Sequence, residues 1–153
     1  MIIISPFAKK LRENKPHPKN YPYWKELIQG LSEFEIIQIG IEGETQLVSD
    51  FRKNLSSIEL SKLVNECDTW ISVDSFFQHF CWDLNKQGIV LFGQSDPLIF
   101  GHSENINLLQ DRKYLREKQF WLWEQAEFKK ESFVKPDIVI NEINQLLLNK
   151  HVI

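Results

Sequence analysis

Five short apolar runs recur along the chain, each closed by a polar turn, with amphipathic stretches between them. Ile2-Ile3-Ile4 is continuous and β-branched, as a strand buried on both faces should be, and Ser5-Pro6 ends it. Tyr21 to Leu31 predicts a short helix: Trp24, Leu27, Ile28 and Leu31 recur at helical spacing, and Pro22 suits the first turn. Glu35 to Ile39 predicts the second strand. Ser56 or Ser57, followed by Ile58-Glu59, has the form of a helix N-cap, with Leu60, Leu63 and Val64 on one face through about Glu66. Trp70 to Val73 predicts a third strand, and Asp74-Ser75 starts a helix running to about Asn85. Gly88 to Phe92 and Asn105 to Leu109 predict two more strands. Pro136 fits the first position of a last helix covering Ile138 to Leu148. Between these, Glu117 to Glu127 reads as a short helix or an irregular segment, because Trp121 and Trp123 are two apart and cannot share a helical face. Strands alternating with helices imply a three-layer α/β fold, a parallel sheet of about five or six strands with helices on both faces.

Composition narrows this further. The 153 residues suffice for one domain with one core. No linker, repeat or low-complexity segment divides them, so residues 1–153 are expected to form a single domain. A net charge of −3 argues against general nucleic-acid binding. The two cysteines, Cys67 and Cys81, form no CxxC pair and no metal-spaced cluster, and they read as buried, reduced thiols suited to the cytoplasm. The apolar start, Met1 to Ile4, is too short for a signal-peptide core or a membrane span.

Several polar positions stand where chemistry is expected. In parallel sheets, ligands sit where strands end and helices begin. Phe7 to Asn20 carries Lys9, Lys10, Arg12, Lys15, His17 and Lys19, and reads either as a phosphate clamp or as a solvated charged loop. Gly40-Ile41-Glu42-Gly43-Glu44 follows the second strand. It is either a plain turn or the place of a carboxylate that accepts ribose hydroxyls; the GxGxxG spacing is absent. Asp74-Ser75 is a helix cap or a phosphate site at the positive end of that helix. His79, one turn on, is ligand-facing or structural. Gln94-Ser95-Asp96-Pro97 is a second polar turn on the same edge, or simply a turn. His102 and His151 have no partner that the sequence identifies.

Four of these elements occur in an order that resembles glycosyltransferase family 9, the ADP-heptose:lipopolysaccharide heptosyltransferases and their relatives. They are Lys19-Asn-Tyr-Pro-Tyr-Trp24, Ile39-Gly-Ile-Glu-Gly-Glu44, Cys67-Asp-Thr-Trp-Ile-Ser-Val-Asp74-Ser75 with His79, and Val90-Leu-Phe-Gly-Gln-Ser-Asp-Pro97. The likeness runs over nearly the whole chain and corresponds to the C-terminal half of a GT-B enzyme, a Rossmann-like domain that binds the nucleotide-sugar donor. By this resemblance Lys19 contacts the donor phosphates and Glu42 or Glu44 holds the ribose. Asp74, Ser75 and His79 line the diphosphate-sugar site, with Asp74 and His79 the candidate catalytic residues. Ser5, Ser95 and Asp96 complete the ligand-contacting set. The implied ligand is a nucleotide-diphosphate sugar, an ADP-sugar foremost, with no cofactor or metal required.

Two departures accompany the likeness: Phe76 replaces the family glycine after Asp-Ser/Thr, and Tyr21 replaces the usual Trp. The N-terminal half, which in the family brings acceptor recognition and usually the catalytic base, has no counterpart in the sequence. An acceptor-binding partner protein or a second copy is therefore expected to complete the cleft. The rival expectations are a non-catalytic module that binds or sequesters a nucleotide sugar, and a structural protein whose aromatic run Phe120 to Phe128 is an interface.

Overall fold

The computed structural model describes residues 1–151, with side chains as far as residue 148. Six strands form one all-parallel sheet: β1 (Ile2–Ser5), β2 (Ile36–Gly40), β3 (Phe51–Lys53), β4 (Thr69–Val73), β5 (Ile89–Phe92) and β6 (Ile106–Leu109). Their order is β3-β2-β1-β4-β5-β6. The helices are α1 (Trp24–Gly30), α2 (Ser57–Glu66), α3 (Phe76–Asp83), the single turn α4 (Pro97–Phe100) and α5 (Pro136–His151). This is a Rossmann-like α/β domain.

Alternation along the strands sorts the core into two layers. Ile2, Ile4, Ile71, Val73, Ile89 and Leu91 face Trp24 and Leu27 of α1 and Val139 and Ile143 of α5. Ile3, Ile37, Trp70, Val90 and Phe92 point the other way, onto Leu63 and Val64 of α2 and Phe77 and Cys81 of α3. Each fully buried aliphatic side chain contributes about 1.5–3 kcal/mol, so runs such as Ile2-Ile3-Ile4 hold both layers at once. The expected cap of α2 is a reciprocal capping box: Ser56 Oγ accepts from the Glu59 N–H at 3.2 Å, and Glu59 Oε2 accepts from the Ser56 N–H at 2.9 Å.

Three details differ from the sequence expectation. β3 is a strand beyond the five apolar runs. Phe51-Arg52-Lys53 has no apolar run because it lies at the sheet edge, where charged side chains are tolerated and blunt the edge. No helix connects it to β2. Instead the buried Gln38 on β2 clasps the connection, its Nε2 donating to Thr45 O (2.8 Å) and its Oε1 accepting from Leu47 N (2.7 Å). Pro22 lies in a turn ahead of α1 rather than in its first helical turn, where Tyr21 is drawn into the core and donates its hydroxyl to Val134 O at 2.8 Å. α3 ends at Asp83 rather than near Asn85. Residues 117–127 take the irregular form, one of the two expected, apart from a short 3-10 turn, Trp123–Gln125. Leu122 there takes φ 61°, so Trp123 turns inward while Trp121 stays exposed.

Residues 110–135 thus form a strap across the C-terminal edge of the sheet. The strap packs tightly on Gly93, directly after β5: a Cβ at that position would stand 2.7 Å from both Phe133 Cζ and Ser132 Oγ.

Candidate functional site

Because all six strands are parallel, the loops after them share one edge. The chain leaves β1 toward β2 on one side and β4 toward β5 on the other. The order therefore reverses between β1 and β4, the position at which such sheets open a crevice.

Lys19 reaches this crevice from the loop after β1. Pro16 and Pro18 keep a regular helix from forming there, and Lys19 sits in a turn closed by the Asn20 N–H donating to His17 O at 3.0 Å. Asn20 Oδ1 accepts from Ala8 N at 2.9 Å, and Trp24 Nε1 donates to Pro6 O at 3.2 Å, so the loop is tied at both ends. The Lys19 ammonium lies 3.0 Å from Asp74 Oδ2; the two side chains are 17% and 5% exposed. It also stands 5.3 Å from the Phe100 ring centroid and 4.8 Å from that of Trp123, within cation–π range. Trp123 carries a second cation, the Arg116 guanidinium, at 4.6 Å.

Asp74 follows β4 directly. Its Oδ1 accepts from Gln78 Nε2 at 2.7 Å. Its Oδ2 meets Lys19 as an ion pair, without an aligned hydrogen bond. Ser75 occupies the N-cap position of α3, yet its side chain makes no capping bond; its hydroxyl lies 3.2 Å from Ser72 Oγ instead. The first-turn N–H groups of α3 therefore have no side-chain acceptor from the cap residue, which leaves a donor set suited to an anion. Phe76, at the start of that helix, turns outward, 68% exposed and 5.6 Å from the Phe80 ring.

The remaining predicted residues have separate surroundings. Ser5 ends β1, buried and in register with Ser72 of β4. Ser95 is buried, and its hydroxyl has no partner among the described residues. Asp96 caps α4 by accepting from Leu98 N at 2.9 Å and forms a two-pronged pair with Arg112 at 3.0 and 2.8 Å. That guanidinium holds the Asp96 carboxyl below the usual carboxylate range. The Asp96 N–H donates to Gln119 Oε1, and Gln119 Nε2 donates to Gln94 O, so this turn also anchors the strap. Glu44 folds back on its own turn, Oε1 accepting from Ile41 N at 2.6 Å, and burial raises its pKa. Glu42 is exposed and paired with Lys53 at 3.4 Å. Both glutamates stand at the end of β2, the strand next to β1.

Two histidines have unexpected partners. His79 lies on the exposed side of α3, Nδ1 2.7 Å from Nε2 of His102, so one ring donates and the other accepts. His102 also stacks on Trp82 at 4.6 Å, which supplies the partners the sequence did not identify. Burial and the neighbouring His102 lower the pKa of His79. His17 accepts from Lys19 N at Nδ1 (3.2 Å), and burial, with Lys19 second, brings its pKa to about 4. The side chain of His151 lies outside the described residues. Cys67 and Cys81 are buried, and burial pushes the Cys81 thiol up.

A cleft of about 460 Å³ opens between the β1 loop and the strap, walled by Leu11, Pro16, His17, Trp123 and Phe128. Neither Lys19 nor Asp74 lines it; His17 and Trp123 are its link to them. Sequence reasoning missed Trp123, Phe100 and Gln78. For Gln78 the available signal was its spacing of four from Asp74 on an otherwise apolar helix face. For Trp123 there was none, because a strap of irregular backbone carries no periodicity.

No protein-family model matches the chain, and no curated protein sequence matches it significantly. Solved structures do. ADP-heptose lipopolysaccharide heptosyltransferase II from E. coli matches 99% of this chain with a TM-score of 0.67 at 18% identity. The glycosyl transferase family 9 structure from Veillonella parvula matches 97%, with a TM-score of 0.70 at 17% identity. The dodecameric iron-containing heptosyltransferase TibC, solved with ADP-D-β-D-heptose, matches 97%, with a TM-score of 0.66 at 13% identity. The chain spans 46–47% of the length of those proteins. It thus has the fold of about half of a family 9 glycosyltransferase. Among the described residues no helix is long and apolar enough to cross a membrane.

Proposed function

We propose that this domain binds a nucleotide-diphosphate sugar, an ADP-sugar foremost, and serves as the donor half of a family 9-like glycosyltransferase. The observation that carries the reading is the Lys19–Asp74 pair at the reversal of strand order. In this reading the diphosphate approaches the Lys19 ammonium and the uncapped N–H groups of α3, both of which favour negative charge. Ser5, Ser75, Ser95 and Asp96 line the surroundings, His79 flanks the sugar, and Glu42 or Glu44 meets the ribose hydroxyls.

Transfer breaks the bond between the anomeric carbon and the diphosphate oxygen as an acceptor hydroxyl oxygen bonds to that carbon and gives its proton to a base on the acceptor side. The electron pair leaves with the nucleotide, where Lys19 and the α3 N-terminus stabilise it. Asp74, no longer held by Lys19, orients a sugar hydroxyl or faces the cation-like carbon. No step calls for a metal or a further cofactor. The acceptor side comes from a partner protein or a second copy. Two buried thiols fit a cytoplasmic setting.

Calorimetric titration with ADP-, UDP- and GDP-sugars tests the reading. Binding by at least one, weakened in Lys19→Ala, is the expected result; no binding to any at millimolar concentration overturns it. A second reading, a module that binds the donor without catalysis, is favoured by the bond between His79 and His102, which occupies the candidate catalytic ring. Donor hydrolysis or transfer that is lost in Asp74→Ala separates the two.

A further inference from the structure

Of the three buried residues of α3, Phe77, Gln78 and Cys81, only Gln78 carries an amide, and it is fully buried. Asp74 stands between the end of β4 and the extended N-cap Ser75, just ahead of α3, and Gln78 reaches back to it from the first turn of the helix. Gln78 Nε2 donates to Asp74 Oδ1 at 2.7 Å. A carboxylate only accepts, so chemistry assigns the NH₂ end of the amide to Asp74. The other end, Oε1, is buried with no partner among the described residues. A residue of similar length without polar atoms would pack there without that desolvation cost.

We infer that Gln78 is a positioning residue for Asp74: it holds Oδ1 and so presents Oδ2 to the Lys19 ammonium. The deepened role rests on the reading of this edge as a diphosphate-sugar site. When the diphosphate draws Lys19 away, the amide keeps Asp74 in the orientation in which it meets the sugar. Gln78 itself touches no ligand.

The test begins with a readout that needs no nucleotide. The rate of Lys19 acetylation by acetic anhydride is followed by peptide mass spectrometry in wild type, Gln78→Met, Asp74→Ala and the double variant. Freed from an aligned Asp74, Lys19 is expected to react severalfold faster in Gln78→Met. The double variant is expected to match Asp74→Ala alone, because the amide acts only through that carboxylate. An unchanged rate in Gln78→Met, or additive effects in the double variant, overturns the inference; a residue that merely packs gives one or the other.

Titration with an ADP-sugar is the second arm, and Gln78→Met is expected to weaken binding by about tenfold, or 1.4 kcal/mol. Equal affinity in wild type and variant overturns the positioning role. A wild type that binds no nucleotide overturns the site reading, while Lys19 acetylation still decides the role of Gln78. Should Gln78→Met fail to fold, nuclear magnetic resonance of wild type and Asp74→Asn decides. The Gln78 side-chain amide protons, deshielded by a charge-assisted bond, move upfield when the charge is removed; unmoved resonances overturn the inference.

Discussion

The Lys19 ammonium stands 3.0 Å from Asp74 Oδ2, and the two residues arrive from opposite sides of the reversal in strand order. The pair joins the loop after β1 to the end of β4, with Trp123 of the strap packed against the cation. Both charges are mostly withdrawn from water, so their attraction largely offsets a desolvation cost rather than adding much net stability.

One-sided removal is then the damaging change. Lys19→Ala leaves a buried carboxylate without its cation and is expected to cost about 3 kcal/mol. Lys19→Ala combined with Asp74→Ala is expected to recover part of that loss, since no charge remains stranded. Urea denaturation midpoints of the two variants and of wild type check the order.

Trp123 is 7% exposed and lies against Lys19, Arg116 and His17. Trp123→Ala is expected to destabilise the domain by about 3 kcal/mol, as removal of a buried indole does. It also takes the ring contact from Lys19 and loosens the strap. Limited proteolysis is expected to cut within residues 116–130 of the variant sooner than in wild type.

His17 is held neutral by burial, with a pKa near 4 against an ordinary 6.5. Between those two values the unfolded chain binds a proton at this residue that the folded chain does not. Stability from this group therefore falls as pH drops from 6.5 toward 4 and changes no further below that. His17→Gln is expected to flatten that part of the curve of melting temperature against pH. An identical slope in variant and wild type speaks against a buried neutral ring.

Gly93→Ala places a methyl 2.7 Å from Phe133 Cζ and Ser132 Oγ. Backbone strain is not the cause; the strap has to move away from β5. A loss of about 1–3 kcal/mol is expected from such overpacking, read as a lower melting temperature, with Phe133→Leu in the same background recovering part of it.

Much of the fold was legible along the chain. Ile2-Ile3-Ile4 and Ile89 to Phe92 announce strands because burial on both faces demands continuous apolar runs. Ser56 with Glu59 announces α2 because capping is a local bond between residues three apart. β3 was not legible, since an exposed three-residue edge needs no apolar run and is made a strand only by pairing with β2. Positions in the candidate site divide in the same way. Asp74, Ser75 and Lys19 stand at strand ends and loop turns, which order along the chain reveals. The partners of site residues do not show in this way: His102 hydrogen-bonds to His79 from 23 residues away, and Gln119 lies 23 residues from the Asp96 N–H that it holds.

By itself, then, the sequence determined five of the six strands and the longer helices, and on which edge of the sheet the polar turns fall. Periodicity and capping are local, and parallel strands place all their C-terminal ends together. Tertiary structure alone decided that Lys19 faces Asp74, that Trp123 folds back to cover the pair, and that the amide of Gln78 is spent on a carboxylate. Those contacts depend on loop closure and on competition for buried hydrogen bonds among residues far apart in the chain, and no local pattern encodes either.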